Sequence, residues 1–261
     1  MAICGRVDLA LRLLCVTAHP DDESGAFGGA LLLAHARGAE TAVTCLTEGR
    51  AAPRRGGART PEDLGRMRRA EFAAALRVLQ VTHGEVLGYP DGALARQNFL
   101  EIATLLVERI RFFRPQIVLT FGGDGGVNLH PDHTMTSCCA TAAFHWAGRS
   151  AFAPEHTASG LAPFAPQKLY YSATPFLSSA DPEAAARTPV VPSTLALELG
   201  SLKEKKLEAF ACHRTQAALL AMVRDAFQKY GGAERYLLAA RTGFHHAPLE
   251  GDMFEGIDDR G

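Results

Sequence analysis

The sequence lacks an apolar run long enough to cross a bilayer. A membrane-spanning helix needs about 18–20 consecutive apolar residues, and the apolar stretch near the N-terminus is interrupted by Arg6, Asp8 and Arg12. The same stretch has no convincing small-residue cleavage site, which makes it a poor signal peptide. We therefore predict a protein without a membrane span.

The sequence also lacks an excess of charge of either sign. The formal net charge is -1 over 261 residues, so no overall attraction to nucleic acid or to acidic membranes is expected. Basic residues cluster at Arg50 to Arg59 and Arg66 to Arg69. We interpret most of them as the solvated face of a loop and a helix, and we predict no nucleic-acid partner.

Cys-x-x-Cys pairs are missing among the six cysteines. Cys15 and Cys45 lie in apolar, strand-like runs, where cysteine behaves as a small hydrophobic residue. A chain of this length can bury enough surface to be stable without disulfides. Scattered cysteines in such a chain are typical of a reduced, cytoplasmic protein.

Apolar runs typical of buried strands alternate with helical patterns along the chain. The predicted strands are Leu11–Thr17, Glu40–Thr47, Glu85–Leu87, Gln116–Phe121, Lys168–Ser172 and Tyr236–Arg241. The predicted helices are Gly28–Ala36, Thr60 to about Leu79, Gln97–Phe113, Pro131–Trp146, Leu197–Ala211 and Gln216–Lys229. This alternation predicts an α/β fold with a Rossmann-like, mostly parallel sheet and helices on both faces. The active site of such a sheet lies at the carboxyl ends of the strands.

No internal repeat or linker divides the chain, so we predict a single domain over residues 1–261. Residues 1–10 are expected to be an N-terminal extension, and residues 249–261 a frayed tail. Residues 48–59 and 147–166 have the composition of surface loops and are expected to influence substrate choice. Residues 175–192 are also loop-like, with one short strand predicted near Val190.

Two short segments rich in histidine and aspartate follow predicted strands. They are His19-Pro20-Asp21-Asp22-Glu23 and His130-Pro131-Asp132-His133. A catalytic zinc site needs three histidine or carboxylate ligands and an open position for water. A single His-Pro-Asp is more often a turn than a site, but two such segments at strand ends predict a shared metal site with acids and histidines to spare for catalysis.

The same two segments resemble those of the LmbE/PIG-L family of metal-dependent N-acetylglucosaminyl deacetylases. Further similarity runs from about Leu11 to Gln216, and its motifs are Glu48-Gly49, Arg68 with Glu71, Asp91-Gly92, and His213-Arg214-Thr215-Gln216. Three positions depart from the family pattern: Asn128 stands where some relatives have tyrosine, Gln80 where glycine is common, and Thr215 where serine is usual.

The resemblance implies a role for each matched residue. His19, Asp22 and His133 would bind Zn²⁺, with Fe²⁺ or another divalent ion as the alternative. Asp21 would be the general base, and His130, oriented by Asp132, would face the reacting carbonyl. The substrate contacts would come from Arg68, Asp91, His213 and Gln216. The implied substrate is a small N-acetylated amino-sugar conjugate, hydrolysed to free amine and acetate, and a homo-oligomer is compatible with this description.

Several alternatives remain open from the sequence. Two histidines and one carboxylate also suit an iron(II) oxygenase, although such a site needs no spare aspartate beside the metal. A non-catalytic sugar- or nucleotide-binding domain would not need the full set of ligands and base. Within the family, the substrate could be a glycosylated antibiotic or another acylated amine. Glu23 fits equally a partner for a ligand histidine and a first-turn helix acid.

Overall fold

The structure, a computed structural model, describes residues 11–53, 55–173, 192–243 and 251–257. Within these residues a single sheet has seven strands in the order β3-β2-β1-β4-β5-β7-β6. Strands β3, β2, β1, β4 and β5 are parallel neighbours, whereas β7 runs antiparallel to β5 and β6. The strands are β1 (Arg12–Thr17), β2 (Glu40–Thr47), β3 (His83–Tyr89), β4 (Ile117–Phe121), β5 (Lys168–Ser172), β6 (Leu195–Glu198) and β7 (Ala233–Arg241).

Helices surround this sheet, which confirms the predicted α/β class. In the described residues they are α1 (Asp22–Gly25), α2 (Gly28–Ala36), α3 (Pro61–Leu79), α4 (Phe99–Phe113), α5 (Pro131–Trp146), α6 (Pro154–Ala158), α7 (Leu202–Ala211) and α8 (Ala217–Tyr230). Short 3₁₀ turns cover Leu94–Arg96, Gly126–Asn128 and Arg214–Gln216. None of the helices in the described residues combines the length and apolar character needed to cross a bilayer.

The helix that carries the motif of Arg68 and Glu71 begins where the sequence predicts. Thr60 is the N-cap of α3, and its hydroxyl accepts a hydrogen bond from the Asp63 amide at 3.1 Å. Pro61 occupies the first helical position, where a missing N–H has no cost. Residues of α3 on one face, including Arg68 and Glu71, are buried, so this helix presents polar side chains to the interior at defined positions.

The strand order reverses between β1 and β4, the two strands at the centre of the sheet. The chain leaves β1 toward β2 on one side, and β4 continues toward β5 on the other. Both strands are almost fully buried, with apolar side chains on both faces, as expected for strands that helices cover. A crevice forms at the carboxyl ends of the strands where the order reverses, and the loops after β1 and β4 both carry a histidine–aspartate segment.

Two sequence predictions about the C-terminal part are wrong. Residues Leu195–Glu198 form a strand, whereas a helix was expected from Leu197; Leu195 and Leu197 point inward and alternate with exposed residues, and α7 begins only at Leu202. Part of the tail is packed instead of frayed, because Met253 is buried and the buried Lys168 ammonium donates to its carbonyl. Residues 1–10 and the strand predicted near Val190 lie outside the described residues.

Candidate active site

The two histidine–aspartate segments meet at a cavity of about 330 Å³ beside the carboxyl ends of the parallel strands. Loops that follow β1, β2, β3 and β4 all contribute to its wall, which confirms that the segments share one edge of the sheet. The residues that line it are His19, Asp21, Asp22, Gly25, Ala26, Ala51, Ala52, Pro53, Arg68, Asp91, Gly92, Asn128, His130, His133, Phe210, Gln216 and Leu219. One part of this wall is therefore polar and ionisable, and the other is apolar.

His19, Asp22 and His133 form a group that could hold a metal ion, with one donor atom from each within 4.8 Å of the others. His133 Nε2 lies 3.3 Å from Asp22 Oδ1 and 3.3 Å from His19 Nδ1. Ligands at about 2.0–2.1 Å from a tetrahedral zinc ion lie about 3.3–3.4 Å from one another. These two spacings therefore fit the edges of a tetrahedral zinc site, and His19 Nδ1 lies 3.6 Å from the other Asp22 oxygen, Oδ2.

The outward ring nitrogens of both histidines are held by the protein, which leaves the inward nitrogens for a metal. His19 Nε2 contacts Asp91 Oδ1 at 3.0 Å and Asp132 Oδ2 at 3.3 Å. His133 Nδ1 lies 3.0 Å from the Gly125 carbonyl oxygen, and its ring stacks on Phe121 at 3.9 Å. Such partners fix the tautomer and the orientation of ligand histidines.

Contacts among these residues and the neighbouring acids stabilise the charged forms of His19 and Asp22. Burial alone would lower the pKa of His19, but hydrogen bonds to Asp132, Asp22 and Asp91 outweigh burial and raise it well above its usual value. Burial would raise the pKa of Asp22, but contacts with His133 and His19 hold it well below its usual range. Asp22 is thus ionised, as a metal ligand must be.

A second group of possible donors, His19, His130 and Asp132, fits a metal less well. The Asp132 carboxylate already accepts hydrogen bonds from the amides of Gly92 and Leu94, at 2.7 Å and 3.0 Å, besides its contact with His19. His19 would also have to offer the ring nitrogen that faces those acids. The first group is therefore the better candidate for holding a metal ion.

Asp21 faces the cavity but does not belong to the metal group. Its Oδ2 accepts a hydrogen bond from Arg68 Nη2 at 2.9 Å. Burial raises the pKa of Asp21 to about 6, against the opposing effect of Arg68. Its backbone has φ of +128° and ψ of −26°, a conformation that costs a non-glycine residue of order 1–3 kcal/mol. The adjacent aspartates therefore have different partners, since Asp21 contacts Arg68 and Asp22 contacts the histidines.

Two predicted substrate-contact residues have partners other than those expected. Arg68 does not extend freely toward a substrate, because its guanidinium also donates to the main-chain oxygens of Pro20 and Gly49. Asp91 contacts His19 and accepts a hydrogen bond from the Ala51 amide at 2.6 Å. Both line the cavity, but their described contacts are with other residues of the site and with the main chain.

The relation between Asp132 and His130 also differs from the prediction. The Asp132 carboxylate contacts His19, and it is the main-chain N–H of Asp132 that donates to His130 Nδ1 at 3.1 Å. His130 Nδ1 is therefore an acceptor, and a neutral ring carries its proton on Nε2. Burial, together with nearby His19 and His133, lowers the pKa of His130, which favours this neutral form.

His213 lies outside the cavity wall, contrary to the prediction, whereas Gln216 lies in it. The His213 ring is buried and contacts Glu23 Oε1 at 2.7 Å. Glu23 is therefore a partner of His213, a histidine that belongs to neither candidate metal group. Thr215, which lies between His213 and Gln216 in the motif, donates to both carboxylate oxygens of Glu71 through its amide and its hydroxyl.

Comparison with known proteins agrees with this geometry. Residues 14–144 match the family model described as PIG-L: GlcNAc-PI de-N-acetylase. The chain belongs to this family. The matched region contains both histidine–aspartate segments and ends within α5.

Relatives of this PIG-L chain include named deacetylases and an amidase. It is 33% identical over 181 residues to the mycothiol S-conjugate amidase of Streptomyces coelicolor, covering 62% of this chain and 60% of that protein. It is 30% identical to 1D-myo-inositol 2-acetamido-2-deoxy-alpha-D-glucopyranoside deacetylase 2 of Catenulispora acidiphila, covering 94% of this chain and 97% of that protein. Several further matches to deacetylases cover only 51–57% of those relatives' length.

Solved structures share the fold of the PIG-L chain at low sequence identity. The N,N'-diacetylchitobiose deacetylase of Pyrococcus horikoshii has a TM-score of 0.71 and 21% identity, over 88% of this chain and 84% of that one. The 4-carboxy-2-hydroxymuconate hydratase GalB of Pseudomonas putida has a TM-score of 0.66 and 20% identity, over 91% and 99%. The fold therefore hosts more than one reaction.

The pairing of Glu23 with His213 is the main feature of this PIG-L site that the sequence does not reveal. The two residues are 190 positions apart, and only Glu23 belongs to a segment that follows a predicted strand. The sequence singles out His213 through its place in a matched motif, but the motif does not indicate which carboxylate the ring contacts.

Proposed function

We propose that this protein is a metal-dependent hydrolase that removes the acetyl group from an N-acetylglucosamine-type substrate, giving free amine and acetate. The observation that carries the proposal is Asp21, a carboxylate that faces the same cavity as the three-donor group without belonging to it. The deacetylase and the amidase among the relatives support an amide C–N bond as the bond that is cleaved.

His19, Asp22 and His133 would hold the ion, and Zn²⁺ is the ion we propose, although the same donors accept Fe²⁺ or another divalent ion. When bound, a divalent metal supplies a water of lowered pKa and positive charge beside a developing oxyanion. Asp91 and Asp132 would keep His19 in its ligand orientation through the ring nitrogen that faces away from the ion.

Asp21 acts as the general base in this proposal and takes a proton from the attacking water. Arg68 holds the Asp21 carboxylate by its Oδ2 oxygen and so directs the other oxygen. His130 donates from Nε2–H to the oxygen of the acetamide carbonyl as negative charge develops there, an interaction whose loss typically costs about 10²–10³ in rate. The leaving amine must take up a proton, which this geometry lets Asp21 or His130 supply.

The substrate that we propose is a small amino-sugar conjugate whose sugar occupies the polar part of the cavity. Gln216 remains a proposed substrate contact, as do the cavity-facing atoms of Arg68 and Asp91. His213 is not proposed as one, because it lies outside the wall. The fold alone does not favour hydrolysis over hydration, since a hydratase shares it; family membership and the amide-cleaving relatives favour hydrolysis.

The test is to incubate the zinc-loaded protein with a panel of N-acetylglucosamine conjugates, including glycosides of inositol, and to measure free amine and acetate. We expect release of both in equal amounts without oxygen consumption. Asp21→Asn should lose about 10²–10⁴ in kcat while its metal content stays that of the wild type. Oxygen consumption, or no amine from any member of the panel, would contradict the proposed reaction; full turnover by Asp21→Asn would contradict the assigned base.

A further inference from the structure

A buried carboxylate–imidazole pair lies next to Asp21, outside the cavity wall. Glu23 and His213 are both fully buried, and Glu23 Oε1 lies 2.7 Å from His213 Nε2. The Ser24 hydroxyl donates to the same oxygen at 2.6 Å. Neither residue lines the cavity, so the pair does not reach a substrate directly.

The second oxygen of this carboxylate holds the main chain of the candidate base. Glu23 Oε2 accepts a hydrogen bond from the Asp21 amide at 2.9 Å. Asp21 has φ of +128°, which an L-residue adopts only when its surroundings enforce it. The hydrogen bond from the Asp21 amide to Glu23 is one of the contacts that can enforce it.

Other contacts fix the remaining groups of Asp21 but not its amide. Its carbonyl oxygen accepts hydrogen bonds from the amides of Ser24 and Gly25, at 3.1 Å and 2.8 Å. Arg68 holds its carboxylate, as described above. The orientation of the amide therefore depends on where the Glu23 carboxylate points, and that carboxylate is in turn oriented by His213 together with the Ser24 hydroxyl.

His213 is itself placed by a distant part of the chain. It follows α7 and precedes the 3₁₀ turn Arg214–Gln216, which Glu71 of α3 fastens through Thr215. Its second ring nitrogen, Nδ1, is buried and has no hydrogen-bond partner among the described residues. A buried polar atom without a partner is costly for stability, so stability alone does not account for a histidine at this position.

We propose that Glu23 and His213 are positioning residues that hold Asp21 in its strained conformation, so that its carboxylate faces the water at the metal site. This inference rests on the proposed function. Without the pair, Asp21 can relax toward negative φ and move its carboxylate away from the cavity. A displacement of about 1 Å at a reacting group can cost about 10²-fold in rate, so the pair would govern kcat and not substrate affinity.

The experiment compares His213→Leu, His213→Gln and a control variant, Glu234→Gln. Glutamine places an amide N–H near the position of the histidine Nε2 and can still donate to Glu23. The control removes a charge from another buried ion pair, between Glu234 and Lys206 at 2.5 Å, which holds the start of α2 and does not contact Asp21. Each variant is assayed for kcat, KM, metal content and melting temperature.

We expect His213→Leu to lower kcat by about 10–100-fold, the range typical when a residue that orients an active-site group is lost. KM and metal content should stay within about twofold of wild type, since Asp22 and the cavity wall keep their own contacts. His213→Gln should recover most of kcat. Glu234→Gln should lower the melting temperature but leave kcat within about twofold of wild type.

A double variant distinguishes positioning from general destabilisation. If His213 acts through Asp21, His213→Leu should have no further effect on the residual rate of Asp21→Asn, because coupled residues are non-additive. An equal loss in both backgrounds, or an equal loss of kcat in Glu234→Gln, would overturn the inference. Glu23→Gln provides the same test if His213→Leu does not fold. An inactive wild type would instead contradict the proposed function.

Discussion

Arg68 illustrates how single residues connect the parts of the site. Its guanidinium contacts the Asp21 carboxylate and the main-chain oxygen of Gly49 in the loop after β2. Gly49 has φ of +67°, and a methyl group on it would overlap the guanidinium. The space for Arg68 therefore exists only because residue 49 has no side chain.

We predict that Gly49→Ala lowers kcat by at least about 10-fold, because the methyl group would push Arg68 away from the candidate base. The measurement is kcat with the metal content determined in parallel. Gly57→Ala is the matched control, since Gly57 also has a positive φ, of +89°, but its Cβ would meet no atom within 4 Å. Equal loss of kcat in both variants would show that backbone strain, and not Arg68, is responsible.

The sequence predicts which residues form the site better than it predicts their partners. His19, Asp22 and His133 come together as expected because their positions follow from the ends of β1 and β4. The contacts of Asp132 with His19, and of Glu23 with His213, join residues more than 100 positions apart. Such pairs depend on side-chain directions in the folded core, which a local motif does not encode.

At the scale of elements, the end of α3 contains an unfavourable residue. Gln80 is its C-cap and has φ of +60°, in the left-handed region. Glycine adopts this conformation without the steric cost that an L-residue incurs. Gln80, which stands where glycine is common in the family, therefore adds a steric cost to the main chain at the end of α3. Its side chain accepts a hydrogen bond from Lys205 at the exposed surface, which offsets little of that cost.

We predict that Gln80→Gly raises the free energy of unfolding by about 1 kcal/mol, which corresponds to about 2–4 °C in melting temperature for a domain of this size. Catalytic constants should not change, because Gln80 lies away from the cavity. Gln80→Ala is the control: it removes the contact with Lys205 but keeps the left-handed strain, so it should not be stabilising. A melting temperature raised equally by alanine would contradict the strain argument.

Element boundaries follow from the sequence where a local signal exists. The start of α3 at Thr60-Pro61 and the end of α2 before Gly38 are marked by capping residues. Strand β6 has no such signal, since Leu195–Glu198 consists of good helix formers and becomes a strand by pairing with β7. Tertiary pairing thus overrides local propensity at the sheet edge.

At the scale of the whole molecule, negative charge concentrates at the carboxyl edge of the central strands. Four carboxylates, those of Asp21, Asp22, Asp91 and Asp132, lie around one cavity or its histidines, with Arg68 as the buried arginine among them. Placing so many acids together costs free energy. A divalent cation bound at this position would therefore stabilise the folded molecule as well as serve catalysis.

We predict that adding Zn²⁺ to chelator-treated protein raises the melting temperature. A ligand present at 100 times its dissociation constant stabilises the folded state by about 2.7 kcal/mol, which for a chain of this size corresponds to about 5–10 °C. His133→Ala should lose this shift because it removes one donor. Cys138→Ser should retain it, since Cys138 is an exposed thiol that could bind zinc without taking part in the site. A shift that persists in His133→Ala but disappears in Cys138→Ser would place the stabilising ion at the surface thiol and contradict the assigned metal site.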